Sequence, residues 1–357
     1  MNLVKIIKNK YFNTGLNLKT DSTISTDLSQ VQSLLELCPM HKKTPLNSYE
    51  KLAKNLNISE LWIKNEGERM GLGSFKALGA SYVIASHAAR EKNKFKQNVQ
   101  WSSVLSKKVY VTASAGNHGL SVAVGAKLFG AKAVIFLSEN VPKAFAKKLE
   151  DKGADVIIEG HTYEQSQDAA IKKSKENNWI LLSDSTWEGY EDAKDVMEGY
   201  LMSPFEAFEE FPGKPTHIFL QAGVGGFAAA VAALARKTYL SYPKIIIVEP
   251  TEAPALQASI ENGFLTEVNG DVSEMGRLDC KVPSLLALSN LSLTANYFVT
   301  LSDDYVQQTL DDLDQEDLTT TPSGGAGYAC LKYLRKTKEI ELNNDSKVLI
   351  FISEKDF

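Results

Sequence analysis

KVYVTASAGNHGLSVAVGAKLFGAKAVIFLS, residues 108–138, runs from an apolar, β-branched segment through a loop of small residues and a helical stretch into a second apolar segment. Neither KVYVTAS nor KAVIFLS alternates polar with apolar residues. Each therefore reads as a strand buried on both faces, and the stretch between them as the helix of a βαβ unit. The pattern extends in both directions. LWIKNE (61–66), DVIIEG (155–160), WILLSD (179–184), THIFLQA (216–222), KIIIVEP (244–250) and KVLIFIS (347–353) read as further strands. SFKALGASYVIASHAARE (74–91) and FAAAVAALARKTY (227–239) read as helices between them. This alternation specifies an α/β fold, with parallel sheets covered by helices on both faces and ligands gathered beyond the carboxyl ends of strands. The first forty or so residues are polar and weakly patterned and read as an extended arm. Residues 263–290 have no clear period and read as a long loop, a kind of segment that is often functional.

At 357 residues the chain exceeds what one hydrophobic core usually serves, so two lobes are expected. A share of 43% hydrophobic and 23% charged residues excludes wholesale disorder. A net charge of −5 with mixed signs gives no reason to expect nucleic acid or an anionic membrane as partner. No apolar run reaches the ~20 residues that span a bilayer, and MNLVKIIKNKYF lacks the apolar core of a secretory signal. Cys38, Cys280 and Cys330 are too few and too scattered for a disulfide framework or a zinc site. No metal is expected, and the reducing cytoplasm is the natural compartment.

Three segments at strand–helix junctions carry chemistry. In Gly71-Leu72-Gly73-Ser74-Phe75-Lys76-Ala77-Leu78-Gly79-Ala80 a glycine-rich turn delivers one lysine into the start of an apolar helix. Desolvation by Phe75, Ala77 and Leu78, with the positive potential of a helix N-terminus, is expected to lower the Lys76 pKa and suit the amine to imine formation. A snorkelling surface lysine is the alternative. In Thr112-Ala113-Ser114-Ala115-Gly116-Asn117-His118-Gly119 small residues let backbone N–H groups approach an anion. Ser114, Ala115 and Gly116 thus suit a substrate carboxylate, Asn117 can hydrogen-bond an aromatic hydroxyl, and His118 reads as a packing or capping residue. Gln221-Ala222-Gly223-Val224-Gly225-Gly226-Phe227 suits a phosphate. A dinucleotide site competes for that loop, and Glu249 ends the next strand as such a site would need. A lysine for an aldehyde, a phosphate loop and an asparagine for a ring hydroxyl together select pyridoxal phosphate (PLP).

On these segments the chain resembles the fold-type II PLP enzymes, the group of threonine dehydratase, serine dehydratase and the tryptophan synthase β chain. Within that group it is most similar to the diaminopropionate ammonia-lyases. The resemblance runs from Thr44-Pro45-Leu46 to the strand at 347–353. It rests on Gly-Leu-Gly-Ser-Phe-Lys (71–76), Gly-Asn-His-Gly (116–119), Asp184-Ser185-Thr186-Trp187-Glu188-Gly189-Tyr190, Ala222-Gly223-Val224-Gly225 and Pro322-Ser323-Gly324. The Trp-Glu-Gly-Tyr element separates this branch from ordinary threonine dehydratases. The resemblance implies that Lys76 carries the cofactor as a Schiff base and that Gly223, Val224, Gly225 and Gly226 hold its phosphate. It further implies that Asn117 meets the ring hydroxyl, Ser323 the pyridine nitrogen, and that Asp184 takes the α-proton of an L-amino acid. A helix N-cap is the alternative for Asp184. Ala115 stands where the family often carries an aspartate linked to D-isomers, which speaks against D-substrates. Cys280 matches a family cysteine that can form a disulfide, but Ala255 stands at the partner position, leaving a free, packed thiol. Arg277, in Arg277-Leu278-Asp279-Cys280-Lys281, is a candidate for a substrate's distal carboxylate, with a solvated ion pair as the alternative.

The expected reaction is β-elimination from a small L-amino acid: 2,3-diaminopropionate to pyruvate and ammonia, or else dehydration of 3-hydroxyaspartate, serine or threonine. Lysine and phosphate loop must then face each other across a cleft. The expected organisation is an N-terminal arm (1–40), a large PLP-binding lobe (41–80 and 184–357) and a small mobile lobe (81–183), with a homodimer implied by the resemblance. A dinucleotide oxidoreductase would leave Lys76 and the Asn117 loop without a role. Intact Lys76 and Asp184 speak against a catalytically silent scaffold.

Overall fold

The computed structural model describes residues 4–20, 22–38, 40–94 and 99–356; residues 1–3, 21 and 39 of the expected arm and 95–98 of the expected small lobe lie outside the described residues. The strands are β1 (Ile6–Lys8), β2 (Leu46–Ser48), β3 (Glu60–Asn65), β4 (Val109–Ala113), β5 (Lys132–Leu137), β6 (Asp155–Ile158), β7 (Ile180–Leu181), β8 (His217–Gln221), β9 (Lys244–Pro250), β10 (Tyr297–Leu301) and β11 (Lys347–Ile352). The helices are α1 (Ser29–Glu36), α2 (Glu50–Asn55), α3 (Lys76–Lys94), α4 (Asn117–Leu128), α5 (Lys143–Asp151), α6 (Tyr163–Asn177) and α7 (Ala193–Tyr200). They continue with α8 (Met202–Glu210), α9 (Gly226–Tyr239), α10 (Ala255–Asn262), α11 (Leu285–Thr294), α12 (Asp303–Asp314) and α13 (Pro322–Thr337). One sheet has the order β1-β10-β9-β8-β11-β3-β2 and the other β6-β5-β4-β7. Only the edge strands β1 and β2 pair antiparallel; every other pair is parallel.

Continuous apolar strands become central strands. Ile245, Ile246, Ile247 and Val248 of β9 are all buried: Ile245 and Ile247 share a core with α9, and Ile246 and Val248 one with α13 on the opposite face. Alanines at 228, 229, 230, 232, 233 and 235 keep α9 thin enough to lie close to its neighbours. The structure departs from the sequence expectation at the N-terminus. Instead of a featureless arm, residues 6–8 pair with β10, Ile6 opposite Val299, and α1 buries Val31 and Leu35. β10 itself was hidden in the sequence, because only Ala295 and Asn296 separate its apolar run from that of α11. The long loop spans Gly263 to Ser284, and α11 takes the rest of the range expected to be irregular.

The turn that matters for the site lies between β3 and α3. Asn65 accepts a hydrogen bond from Gly67 N–H and opens a 3₁₀ turn over Glu66–Gly71. Met70 (φ 52°) and Gly71 (φ 66°) are both left-handed, a conformation costly for methionine. A fully buried ionic cluster holds the turn there. Arg69 Nε meets Glu66 Oε2 at 2.7 Å and Arg69 Nη2 meets Glu206 Oε2 at 2.7 Å, while Lys64 Nζ meets Glu206 Oε2 at 2.6 Å. Ser203 donates to Glu66, and the Lys64 ammonium also donates to the Thr44 carbonyl. Two cations thus face two anions, and Arg69 also donates to the Lys42 carbonyl and the Thr44 hydroxyl, the kind of pairing under which buried charge is tolerated.

Burial works against ionisation of Glu66, but the Arg69 guanidinium outweighs it and brings the carboxyl down to about 2. A carboxyl with a depressed folded pKa stabilises the fold above its unfolded value and loses that contribution as pH falls through the folded value. Glu66→Gln is therefore expected to cost about 3 kcal/mol at neutral pH, and the cost should shrink as pH falls from the ordinary glutamate value of 4.5 to about 2. Urea-unfolding midpoints of both proteins across that range test this; a gap that does not change with pH would contradict it.

Candidate active site

α3 begins at Lys76 because Gly71 and Gly73 let the chain reverse and Ser74 forms a bridge with Glu354 just past β11. Two further backbone bonds tie this turn to the end of β11: Phe75 N–H to the Ser353 carbonyl (3.2 Å) and Lys355 N–H to the Gly73 carbonyl (2.9 Å). Lys76 is thereby aimed between aromatic walls. The Phe75 ring lies 4.2 Å from Phe227 and 5.0 Å from Tyr200, centroid to centroid, and Lys76 Nζ is 5.3 Å from the Phe75 centroid. At the end of this channel Lys76 Nζ donates to Asp184 Oδ2. Burial disfavours the ammonium, but the Asp184 carboxylate outweighs it, so the Lys76 pKa is raised. The expected depression of Lys76 is thus corrected. Burial likewise opposes ionisation of Asp184, and the Lys76 charge overrides it, holding the carboxyl well below its usual range. Asp184 caps no helix, since α7 begins only at Ala193, so the N-cap alternative also falls.

The other sequence-selected segments meet this pair. Gly226 lies beside Asp184, a Cβ built there standing 3.7 Å from the Asp184 carbonyl oxygen. Gly225 is left-handed (φ 95°), and α9 starts at Gly226 with no side-chain cap on its first N–H groups. At Gly223 an added Cβ would stand 2.9 Å from Cys280 Sγ, 3.0 Å from the Arg277 carbonyl oxygen and 3.1 Å from Leu278 Cα, so no side chain fits. Gly223, Val224, Gly225 and Gly226 thus form a bare backbone cradle beside a half-buried lysine, which fits the phosphate and aldehyde of PLP. Ser114 Oγ accepts from Gly116 N–H (3.3 Å) and Gly119 N–H (3.1 Å), shaping the loop that opens α4. His118 is buried and donates from Nε2 to the Leu182 carbonyl (2.8 Å).

The long loop 263–284 closes the other side. Arg277 N–H donates to Ser323 Oγ (3.1 Å) at the start of α13, and Arg277 Nη1 to the Ala115 carbonyl (2.9 Å). The loop is therefore part of the site. Cys280 is a free thiol against Gly223, its pKa pushed up to about 12 by burial, as a packed cysteine would be. Glu249 spends both carboxylate oxygens on Leu256 and Gln257 N–H at the start of α10, which removes it as a nucleotide ribose acceptor. Sequence reading missed Glu354, whose Oε2 accepts from Asn117 Nδ2 (2.6 Å) and whose Oε1 accepts from Thr321 (2.5 Å). The signal available was its place just beyond a strand's carboxyl end. Among the described residues no three His, Cys, Asp or Glu gather in a metal-binding group, and no helix is long and apolar enough to cross a membrane.

A family model for pyridoxal-phosphate dependent enzymes matches residues 37–354. The chain is 31% identical to a diaminopropionate ammonia-lyase of Salmonella typhimurium over 75% of this chain and 72% of that one. It is 30% identical to a biosynthetic L-threonine dehydratase of Haemophilus influenzae, over 86% of this chain and 55% of that one. The crystal structure of diaminopropionate ammonia lyase from Escherichia coli in complex with D-serine superposes with a TM-score of 0.87 at 25% identity, over 99% of this chain and 94% of that one.

Gly223→Ala tests the cradle. It is expected to weaken PLP binding by at least about tenfold, ~1.4 kcal/mol, with far-UV circular dichroism unchanged. Titration of apoprotein with PLP reads the outcome, and unaltered affinity would mean that the cofactor phosphate lies elsewhere.

Proposed function

Because this chain belongs to the pyridoxal-phosphate dependent enzymes, we propose that it eliminates the β-substituent of a small L-amino acid, with L-2,3-diaminopropionate as substrate and pyruvate and two ammonia as products. The observation that carries this reading is the Lys76–Asp184 contact beside the glycine cradle. Bound there, PLP supplies an electron sink for the substrate α-carbon. Lys76 would hold it covalently, Gly223–Gly226 its phosphate, Asn117 the ring hydroxyl and Ser323 the ring nitrogen. Ser114 already occupies the Gly116 and Gly119 amides, so the substrate carboxylate falls to the other N–H groups of the loop, those of Ala115 and Asn117. Asp184, kept ionised, accepts the α-proton. Lys76, whose ammonium is favoured, donates a proton to the departing β-amino group once substrate has displaced it. The released 2-aminoacrylate hydrolyses to pyruvate and the second ammonia. Phe75, Tyr200 and Phe227 keep water from the reacting carbon.

A second reading has its own observation. Arg277 lies over the 114–117 loop, and burial together with the Arg277 charge lowers the pKa of Lys148 on α5. Arg277 over that loop favours a substrate with a second carboxylate, such as 3-hydroxyaspartate, over serine or threonine. We further infer that the unit holding β4–β7 (81–183) closes on the rest (41–80 and 184–357) when substrate binds. On the family resemblance, and with three free thiols, the protein is read as a cytoplasmic homodimer.

The test is pyruvate and ammonia release by PLP-loaded protein given L- and D-2,3-diaminopropionate, L-serine, L-threonine and 3-hydroxyaspartate. Turnover of L-diaminopropionate and not its D-isomer is expected, with Ala115 in place of an aspartate. Asp184→Asn should lower kcat/KM by about 10²–10⁴ while the bound-cofactor absorbance remains. Preference for 3-hydroxyaspartate, lost in Arg277→Ala, would move the assignment to the second reading.

A further inference from the structure

Glu354 is a carboxylate only 4% exposed, at a point where four elements meet. It follows β11 and bridges Ser74 on the turn that carries Lys76. Its Oε1 accepts from the Thr321 hydroxyl that opens α13, and its Oε2 from the Asn117 side-chain amide at the start of α4. Arg277 Nε, from the long loop, stands 3.9 Å from the same Oε2. The Thr320 hydroxyl donates to the Glu354 backbone carbonyl, and Gly324 leaves room for the side chain, since a Cβ there would stand 3.3 Å from Glu354 Cγ. Burial raises the Glu354 pKa, while the Thr321 hydrogen bond and the facing charges of Arg277 and Lys76 favour the ionised form.

An asparagine amide has two orientations of nearly the same shape, which exchange a donor for an acceptor. An ionised carboxylate only accepts, so it binds the NH₂ end of Asn117 and repels the carbonyl end. One orientation is then selected, whatever else Asn117 touches. We propose that Glu354 is a positioning residue: it locks the Asn117 side chain in the orientation that presents a fixed hydrogen-bonding pattern to the cofactor ring oxygen. This rests on the reading of Asn117 as the ring-hydroxyl partner. Glutamine at 354 would keep the shape but could donate as well as accept, and both orientations of Asn117 would then be satisfied.

The experiment is PLP titration and absorbance spectroscopy of the full-length protein as wild type, Glu354→Gln, Asn117→Ala and the double variant. Two quantities are read: the PLP dissociation constant, and the ratio of the absorbance bands of lysine-linked cofactor. Glu354→Gln alone is expected to weaken PLP by about tenfold and to change the band ratio. In the Asn117→Ala background the same change should do neither, because the group it orients is gone. Unchanged affinity and spectrum in Glu354→Gln, or an equal change in both backgrounds, overturns the proposal; the second outcome would make Glu354 a charge acting directly on Lys76. If Glu354→Gln loses its circular dichroism signal, Thr321→Val, which frees the other carboxylate oxygen, is read by the same two criteria. A wild type that binds no PLP would instead sink the functional reading, a result distinct from either.

Discussion

Arg69 has no contact with water, and its guanidinium meets Glu66 and Glu206, two carboxylates that are equally enclosed. Removing any one of them would leave a buried charge without its counterpart, a far larger penalty than the pair's net contribution. The cluster therefore acts as a constraint more than as a source of stability. It fixes the left-handed Met70, that residue fixes the reversal into α3, and the reversal decides where Lys76 points. Glu206 comes from α8 and Lys64 from β3, so the turn is anchored to both a helix and the sheet.

The second ion pair has the opposite character. Lys76 and Asp184 are about a fifth exposed at their side chains, and in the proposed reaction one partner must change its bonding. In the buried cluster each charge is shared among several fixed donors and acceptors. Here a single contact sets both protonation states, a base with a low pKa and an amine with a high one. Groups whose environments push their pKa values apart are the usual division of labour between proton acceptor and proton donor.

The glycine segments were legible because glycine at 223 and 225 answers a local requirement, no room for a Cβ and a left-handed backbone, which leaves a mark in any sequence. Central strands were legible because burial on both faces removes polar residues from them. What stayed hidden depended on residues distant along the chain. The Lys76 pKa was misjudged from its sequence neighbours, since the deciding charge comes from Asp184, 108 residues away. Glu354 looked like the polar end of a strand, and its role exists only because β11 lies against β3 and Asn117 faces it from the start of α4. β1 could not be read because three residues on an edge carry too little pattern.

β3 and β11 are neighbours in the sheet, Glu60 opposite Lys347, although they lie near opposite ends of the chain. Phe75 and Lys355 close the same joint through their backbone N–H groups. A ribosome adding about 5–20 residues per second completes β11 roughly 15–60 s after Lys76 has been made. Through that interval the nascent chain carries a reactive amine with neither its clasp nor the adjoining Glu354. Stable loading with cofactor must therefore wait for β11, so a strand made long after the lysine decides when the lysine's turn is held in place.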